Sequence, residues 1–243
     1  LIDRVLTGQA AIADGPILPN TWAHYDGIER IPFNTDEALK LIKEGGYTIP
    51  ASGGRARENE DGVRLAFTLA YPDTEEHLAL VELIQQYWID LGIEVELAAI
   101  PYEELIDDYL DTRLYEAALV DISLSRTPDP DPYPFWHQTQ ATGGQNYAMW
   151  NDRQASEYLE QARIIVDPVE RARLYRNFQV RFVNELPALP LYHPMYTYAV
   201  NEQVQGVRMG PLFDTSDRFA TLQSWYLFFE TGIGIDETVT PNP

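Results

Sequence analysis

The sequence predicts an α/β domain built on a mainly parallel sheet. Three observations predict it. Expected strands and helices alternate along the chain, and apolar residues recur at every second position in the strands and at helical spacing in the helices. The third strand is almost wholly apolar. Such an apolar strand is typical of a parallel sheet that is covered on both faces. We therefore expect strands over 63–70, 93–99 and 117–124 in one sheet, flanked by helices over 74–91 and 152–186.

The expected helices of the first half are indicated by their caps and their charge order. A short helix should have Thr35 as its N-cap and end before Gly45, because acids stand in its first turn and lysines near its end, as the helix dipole favours. Asp73 is expected to cap the next helix, with Glu76 completing a capping box. A further helix is expected over 102–110, directly after a proline.

The second half of the chain should be mainly helical. We expect helices over 152–166 and 168–186, the second with Pro168 as its first helical residue. Short strands are expected at 189–192 and 196–200. The buried face of the second helix should be a stripe at helical spacing, made of Leu174, Phe178 and Phe182.

Length, charge and cysteine content narrow the classes of function. The 243 residues, 45% of them hydrophobic, are enough to bury a sizeable core, which we expect as one lobe over 1–230 followed by a loose tail over 231–243. A formal net charge of −21 argues against nucleic acid and anionic lipid as partners. Cys is absent, which removes disulfides, thiolate metal sites and Cys nucleophiles together. Because the chain opens in mid-pattern without Met, we expect it to be a fragment of a longer protein.

The segment 119–136 is the strongest candidate for a binding loop. An apolar run there is stopped by prolines, which lack a backbone N–H and therefore end a strand at the edge of the fold: Pro128, Pro130, Pro132 and Pro134. The segment 144–150 follows, with amide and aromatic side chains, and the two should form one wall of a ligand cleft. The aromatic residues of these loops fit either a core or a cleft, whereas Trp88, on a helical stripe, should be in the core.

Motifs of catalysis are missing from the sequence. The four histidines have no metal-binding spacing, and no nucleophile elbow, dinucleotide fingerprint or phosphate-binding loop is present. Asp129 and Asp131 are a conceivable carboxylate pair, but in a D-P-D-P setting such residues more often accept local backbone N–H bonds. We expect no cofactor and no metal.

Several motifs, taken in order, resemble those of one protein family. They are I-D-R at 2–4 with G-P-I-L-P at 15–19, F-N-T-D-E-A-L-K-L-I-K-E-G-G-Y at 33–47, P-D-P-D at 128–131, N-Y-A-M-W-N at 146–151 and R-A-R-L-Y-R-N-F-Q at 171–179. Together they resemble the cluster C, family 5 extracellular solute-binding proteins, which are the peptide- and nickel-binding subunits of ABC importers.

The resemblance implies a binding protein rather than an enzyme. Members have two lobes that close on a solute, and this chain is similar to the C-terminal lobe, a mixed, mainly parallel sheet with flanking helices of the type II periplasmic-binding-protein kind. It implies a peptide or other small solute and ABC permease subunits as partners, with an N-terminal lobe preceding Leu1. It also implies an extracellular or periplasmic location, with a lipoprotein anchor on the full-length protein.

The resemblance further implies which residues contact the solute: Arg113, Ser123, Leu124, Ser125, Arg126, Asn146, Tyr147 and Trp150. Peptide-binding members have an Asp, which pairs with the peptide ammonium, where this chain aligns Arg126. A cation there should repel an ammonium and attract a carboxylate, a phosphate or a sugar hydroxyl. The alternative is that Arg126 forms a salt bridge with Asp129 or Asp131.

Two other functions stay open from the sequence alone. The same fold could serve a sensor or interaction domain that takes no part in transport. A secreted hydrolase that uses the acidic loop is the remaining alternative.

Overall fold

The computed structural model describes residues 1–51, 53–124, 129–210, 212 and 214–228. The chain divides into two compact units, one of residues Leu1–Met195 and one that starts at Tyr196. The predicted boundary after residue 230 and the predicted tail lie outside the described residues. In the described part of the chain, no helix combines the length and the apolar character that crossing a membrane requires.

The first unit contains most of the regular structure. Its elements are β1 (Ala10–Ile12), α1 (Thr35–Glu44), β2 (Ala66–Pro72), α2 (Glu75–Asp90), β3 (Glu94–Ile100), α3 (Tyr102–Glu104), β4 (Ala117–Ala118), α4 (Tyr133–Trp136), α5 (Arg153–Ile164), α6 (Pro168–Glu185) and β5 (Tyr192–Pro194). A π-helical segment, Leu105–Leu110, continues α3.

A three-stranded parallel sheet forms the centre of this unit, in the order β3-β2-β4. Alternate residues of β2 point to its two faces. On one face Leu69 packs with Val81 of α2 and with Val95. On the other face Ala70 packs with residues of the π-helical segment. The predicted parallel sheet and its flanking by α2 are confirmed, and so is the place of Trp88, which packs on the α2 side of the sheet.

The third strand is much shorter than predicted. Strand β4 has two residues, and the chain from Leu119 to Leu124 is half-buried or exposed rather than buried on both faces. The reason lies in the partner strand, because Ala70 of β2 accepts the N–H of Leu119 at 2.8 Å. The next donor on that edge of β2 would be Pro72, which has no N–H, so the ladder stops.

Helices α5 and α6 pack mainly on each other and form a separate core. Its buried residues come from both helices, from α4 and from the chain before α1, and none comes from the sheet strands: Ile17, Ala23, Trp136, Ala155, Leu159, Ala162, Leu174, Tyr175, Phe178 and Phe182. The predicted stripe of α6 is therefore confirmed. The predicted place of these helices beside the sheet is corrected, because their apolar faces are covered by one another.

Two helix caps differ from the prediction by one residue. Asn34 caps α1, because its side-chain oxygen accepts the N–H of Glu37 at 3.0 Å. Thr74 caps α2 by accepting the N–H of His77 at 3.2 Å, so Asp73 has no capping role.

The end of the first unit pairs with its beginning. Strand β5 runs antiparallel to β1, with Ala10 opposite Pro194 and Ile12 opposite Tyr192. The predicted strand at 189–192 is thus displaced towards the C-terminus. The strand predicted at 196–200 is wrong, because β1 offers only three residues for pairing and β5 uses all of them.

The second unit is small. An antiparallel pair joins β6 (Val204–Gln205) and β7 (Tyr226–Leu227), and a 3-10 helix spans Thr215–Phe219. The rings of Tyr198, Phe219 and Trp225 contact one another. None of the described residues of this unit is buried.

Candidate functional site

The two aspartates of the proline-rich loop form ion pairs with arginines of α5 and α6. Both oxygens of Asp129 accept hydrogen bonds from Nη2 of Arg171, at 2.7 and 2.9 Å. Asp131 accepts from Nε and Nη2 of Arg163, and also from the backbone N–H of Tyr133 at 3.2 Å. Because each carboxylate is engaged by a guanidinium, the pair is arranged for anchoring rather than for acid–base chemistry.

A stack of three side chains fixes the next part of the loop. The guanidinium of Arg163 lies 3.7 Å from the ring centroid of Tyr133, and that ring stacks on His137 at 4.1 Å. His137 is fully buried, and its Nε2 lies 2.9 Å from Oε1 of Glu160. This histidine is therefore a packing residue. No group of side chains suited to a metal ion occurs among the described residues.

Asn146 is buried and bonded to its own chain. Its Nδ2 donates to the carbonyls of His137 at 3.1 Å and Trp150 at 2.9 Å, and its Oδ1 accepts the N–H of Trp150 at 3.0 Å. These bonds close the loop from 137 to 150. The side chain thus holds this loop in shape.

Arg113 joins this loop to the segment that follows α3. It has a left-handed backbone with φ of 62°. Its guanidinium donates to the carbonyl of Leu110 and, at 2.7 Å, to that of Gly144. Its Nε is buried and has no hydrogen-bond partner among the residues that the structure describes. Backbone carbonyls therefore engage the guanidinium that the family resemblance assigns to the solute.

Tyr147 and Trp150, the two aromatic residues of the segment 144–150, pack in different places. Trp150 packs on the α5–α6 core, 5.8 Å from the ring of Phe182 and 6.2 Å from that of Phe178. Tyr147 is half-buried beside the π-helical segment, with Arg113 5.0 Å from its ring centroid. Burial raises the pKa of the Tyr147 phenol, and the charge of Asp111 adds to the effect. Tyr147 keeps an accessible surface that a solute could contact.

The strand end before the proline-rich loop is only partly described. Ser123 is exposed and Leu124 is half-buried, whereas Ser125 and Arg126 lie outside the described residues. The structure brings Arg113, Asn146 and Tyr147 together around one loop, with Trp150 attached through Asn146. The assignment of all eight residues to a solute site stays a prediction.

A cavity that sequence reasoning missed lies at the carboxyl end of β2. It has a volume of about 590 Å³ and is bordered by the N-terminal segment, the start of α2 and β5; its walls include Val5, Leu6, Glu75, Glu76, Tyr192 and Met195. Ligands of open α/β sheets bind outside the carboxyl ends of the strands. The position of α2 after β2 is readable from the sequence, but the pairing of β1 with β5 is not.

Near this cavity, titratable side chains lie just after the carboxyl ends of β2 and β4. His77 in the first turn of α2 lies 3.3 Å from Asp121, which follows β4. Burial raises the pKa of the Tyr192 phenol, and the charges of Glu76 and Asp121 raise it further. The first unit thus combines a parallel sheet, a cavity at the carboxyl edge of that sheet and an antiparallel pairing of its first and last strands.

Comparison with known proteins identifies a protein family. The family model for bacterial extracellular solute-binding proteins, family 5 Middle, matches residues 1–145. The chain belongs to this family.

Individual relatives resemble nearly the whole chain. It is 24% identical over 233 residues to the oligopeptide-binding protein AppA of Bacillus subtilis, covering 93% of this chain and 41% of AppA. It is 31% identical over 212 residues to Protein XP55 of Streptomyces lividans, covering 85% of this chain and 37% of XP55. The chain therefore spans about two fifths of the length of these relatives.

Two solved structures share the fold. AppA in complex with a nonapeptide superposes with a TM-score of 0.74 at 20% identity, covering 94% of this chain and 44% of AppA. NikZ from Campylobacter jejuni, in complex with Ni(L-His), gives 0.71 at 18% identity, covering 92% of this chain and 45% of NikZ.

Proposed function

We propose that this chain is the C-terminal lobe of an extracellular solute-binding protein that delivers a peptide or similar small solute to an ABC permease. One observation carries the proposal: the family model matches residues 1–145. The chain acts by binding rather than by catalysis, which is consistent with the engagement of Asp129 and Asp131 by arginines. The full-length protein would be held at the cell surface or in the periplasm by a lipid anchor.

The proposal gives the predicted site residues two roles. Tyr147, Ser123 and Leu124, with Ser125 and Arg126, would face the solute. Arg113, Asn146 and Trp150 would hold the wall, because their polar groups or rings are engaged with the chain itself. The solute is expected to be a peptide or a small chelate, the two kinds of ligand seen in the structures of AppA and NikZ.

A second lobe, preceding Leu1 in the full-length protein, would supply the other half of the site. This part of the proposal is supported by the share of the relatives that the chain spans, about two fifths. It is also supported by the second unit, whose described apolar residues are all at least partly exposed. Large exposed apolar surfaces commonly mark an interface.

Calorimetry tests the proposal. The solute that co-purifies with the longer protein is identified by mass spectrometry and titrated into that protein and into this chain. We expect the longer protein to bind at about micromolar concentration, ~−8 kcal/mol, and this chain to bind in the millimolar range or more weakly, because half of the contacts are gone. Equal affinities would contradict the two-lobe arrangement. A longer protein that carries and binds no solute would contradict the function itself.

A further inference from the structure

The chain after β4 leaves the sheet just before residues that are predicted to face the solute. Its last backbone hydrogen bond to β2 runs from the N–H of Leu119 to the carbonyl of Ala70. The next ladder position on β2 offers neither a donor nor a free acceptor. Pro72 has no N–H there, and its carbonyl accepts the N–H of Thr74 at 2.8 Å. The residues 121–124 therefore lie beyond the end of this ladder.

A side-chain contact joins this part of the chain to α2 instead. Nε2 of His77, in the first turn of α2, lies 3.3 Å from Oδ2 of Asp121. Nδ1 of the same ring lies 2.7 Å from Oγ1 of Thr74, which is the N-cap of α2. The imidazole is thus engaged at both nitrogens, and only 15% of the His77 side chain is exposed. The helix cap fixes the ring on one side, and the ring contacts Asp121 on the other.

The surroundings of His77 provide carboxylates and no second strong base. The ionisable residues at the start of α2, after β4 and on the adjoining face of β5 are Asp73, Glu75, Glu76, Asp121 and Tyr192. The N-terminal residues that border the same cavity carry no charge: Val5, Leu6, Thr7 and Gln9. In the described part of the chain, His77 is the one basic side chain in contact with Asp121. Protonation of the imidazole would therefore strengthen this contact.

We propose that His77 is a positioning residue for the wall predicted to face the solute, because it holds the strand end at Asp121 and holds it more firmly when the imidazole is protonated. Ser123 and Leu124, two of the residues predicted to face the solute, lie shortly after Asp121. The inference rests on the proposed function and adds a regulation to it, since solute affinity should rise as the pH falls. Histidine suits this role because it changes charge between about pH 5 and about pH 8.

The sign of the pH effect follows from the two states of the ring. A neutral imidazole donates from Nε2 and accepts at Nδ1, whereas a charged one donates from both nitrogens, so the contacts to Thr74 and Asp121 persist in both states. Only the charged ring adds Coulomb attraction to Asp121. Because the bound solute needs the strand end in place, binding favours proton uptake, and acid strengthens binding. Asp121 is 60% exposed, so the gain should be that of a partly exposed ion pair, about two- to five-fold in affinity.

An NMR titration of this chain tests the contact without any solute. Ile122 follows Asp121, and carbon-13 in its methyl group makes it a reporter for the strand end. We expect the Ile122 signal to move with the ring signals of His77 between about pH 5 and about pH 8. In D121N the imidazole still becomes charged but no longer attracts a carboxylate, so the Ile122 signal should stay nearly constant. An Ile122 signal that ignores pH, or that moves equally in D121N, would overturn the proposal.

The chain offers a matched control in a second histidine–aspartate pair. Nε2 of His24 also lies 3.3 Å from a carboxylate oxygen, that of Asp26, and the His24 side chain is likewise 15% exposed. This pair is local in sequence, whereas His77 and Asp121 belong to different elements. H24Q and D26N therefore remove a comparable pair without releasing the strand end.

Calorimetry on the longer protein then measures the effect on binding. The probe is the co-purified solute identified by mass spectrometry, titrated at about pH 5.5 and about pH 8. The wild type, H24Q and D26N should gain affinity alike on acidification, whereas H77Q and D121N should lose this gain. Asp121 is exposed, so D121N should keep the thermal unfolding of the protein unchanged even if H77Q does not. An equal gain in every variant would refute the role of His77.

The outcome is distinguishable from failure of the proposed function. If the solute binds with the same pH dependence with and without His77, the positioning role fails and the solute-binding function stands. If no solute co-purifies, the proposed function fails, while the NMR titration still decides whether His77 holds the strand end.

Discussion

The two units of this chain use the same kinds of residue in opposite ways. In the first unit Tyr175, Phe178 and Phe182 are buried in a core between two helices. In the second unit rings surround a cation instead: the Arg218 guanidinium lies 4.5 Å from the ring centroid of Phe219 and donates to the hydroxyl of Tyr196 at 3.0 Å. The first unit therefore has the means to fold by burial, whereas the second relies on surface contacts and leaves apolar area in water.

Truncation of one aromatic ring in each unit should give the largest difference in stability between the two units. Phe178 is fully buried and Phe219 is 42% exposed. F178A should lower the free energy of unfolding by about 3–5 kcal/mol, because it leaves a cavity between the helices. F219A should change it by no more than about 0.5 kcal/mol. Urea denaturation followed by helical circular dichroism measures both, and comparable losses would show that the second unit has an equivalent core.

Helix caps provide a second, smaller comparison. Asp152 caps α5 by accepting the N–H of Ala155 at 2.7 Å and also pairs with Arg181. Asp214 caps the 3-10 helix of the second unit. D152A should lower the free energy of unfolding by about 1–2 kcal/mol, whereas D214A should leave the same transition unchanged. D152N keeps a capping oxygen and should lose less than D152A.

The pH dependence of the stability difference between the wild type and D152N tests whether the charge of Asp152 causes that difference. The hydrogen bond from Arg181 lowers the pKa of Asp152 below its ordinary value of 3.8. A depressed pKa contributes stability that is present above the unfolded-state value and is lost as the pH falls through the folded-state value. The difference between the wild type and D152N should therefore shrink on acidification below about pH 4. A difference that grows would show that another group is responsible.

The smallest expected effect concerns His193 on β5. Burial lowers its pKa from the ordinary value of 6.5, and the charge of nearby His24 acts in the same direction. The unfolded state then binds the proton more readily than the folded state. The contribution of His193 to the free energy of unfolding is therefore fully present above the unfolded-state pKa of 6.5 and is lost as the pH falls towards the folded-state pKa. H193Q should flatten the fall in unfolding free energy between about pH 7 and about pH 5, measured by urea denaturation. An unchanged slope would show that His193 does not cause the fall.

Local patterns explain which parts of the fold could be predicted from sequence. Strands β2 and β3 and the stripe of α6 follow from residue periodicity, which burial on one side imposes. The length of β4 could not be predicted, since it depends on Pro72 of a partner strand. The predicted cap of α1 lies one residue beyond the observed one, because Asn34 and Thr35 both suit the position.

The candidate site was less predictable than the fold. Arg113 and Asn146 have side chains that suit a solute, and the sequence does not reveal that backbone carbonyls engage them. The cavity near Glu75 depends on contacts between the two ends of the first unit. Such long-range contacts are set by tertiary packing, which residue periodicity does not predict.

The antiparallel pairing of β1 with β5 brings the two ends of the first unit close together, which matters for protein engineering. Ala10 and Pro194 lie opposite each other, so the two ends of the intervening segment are separated only by the width of a strand pair, about 5 Å. Domains with adjacent ends tolerate transplantation and circular permutation. The segment between these residues therefore suits circular permutation, in which a short linker joins its two ends. It equally suits insertion into a loop of an unrelated protein.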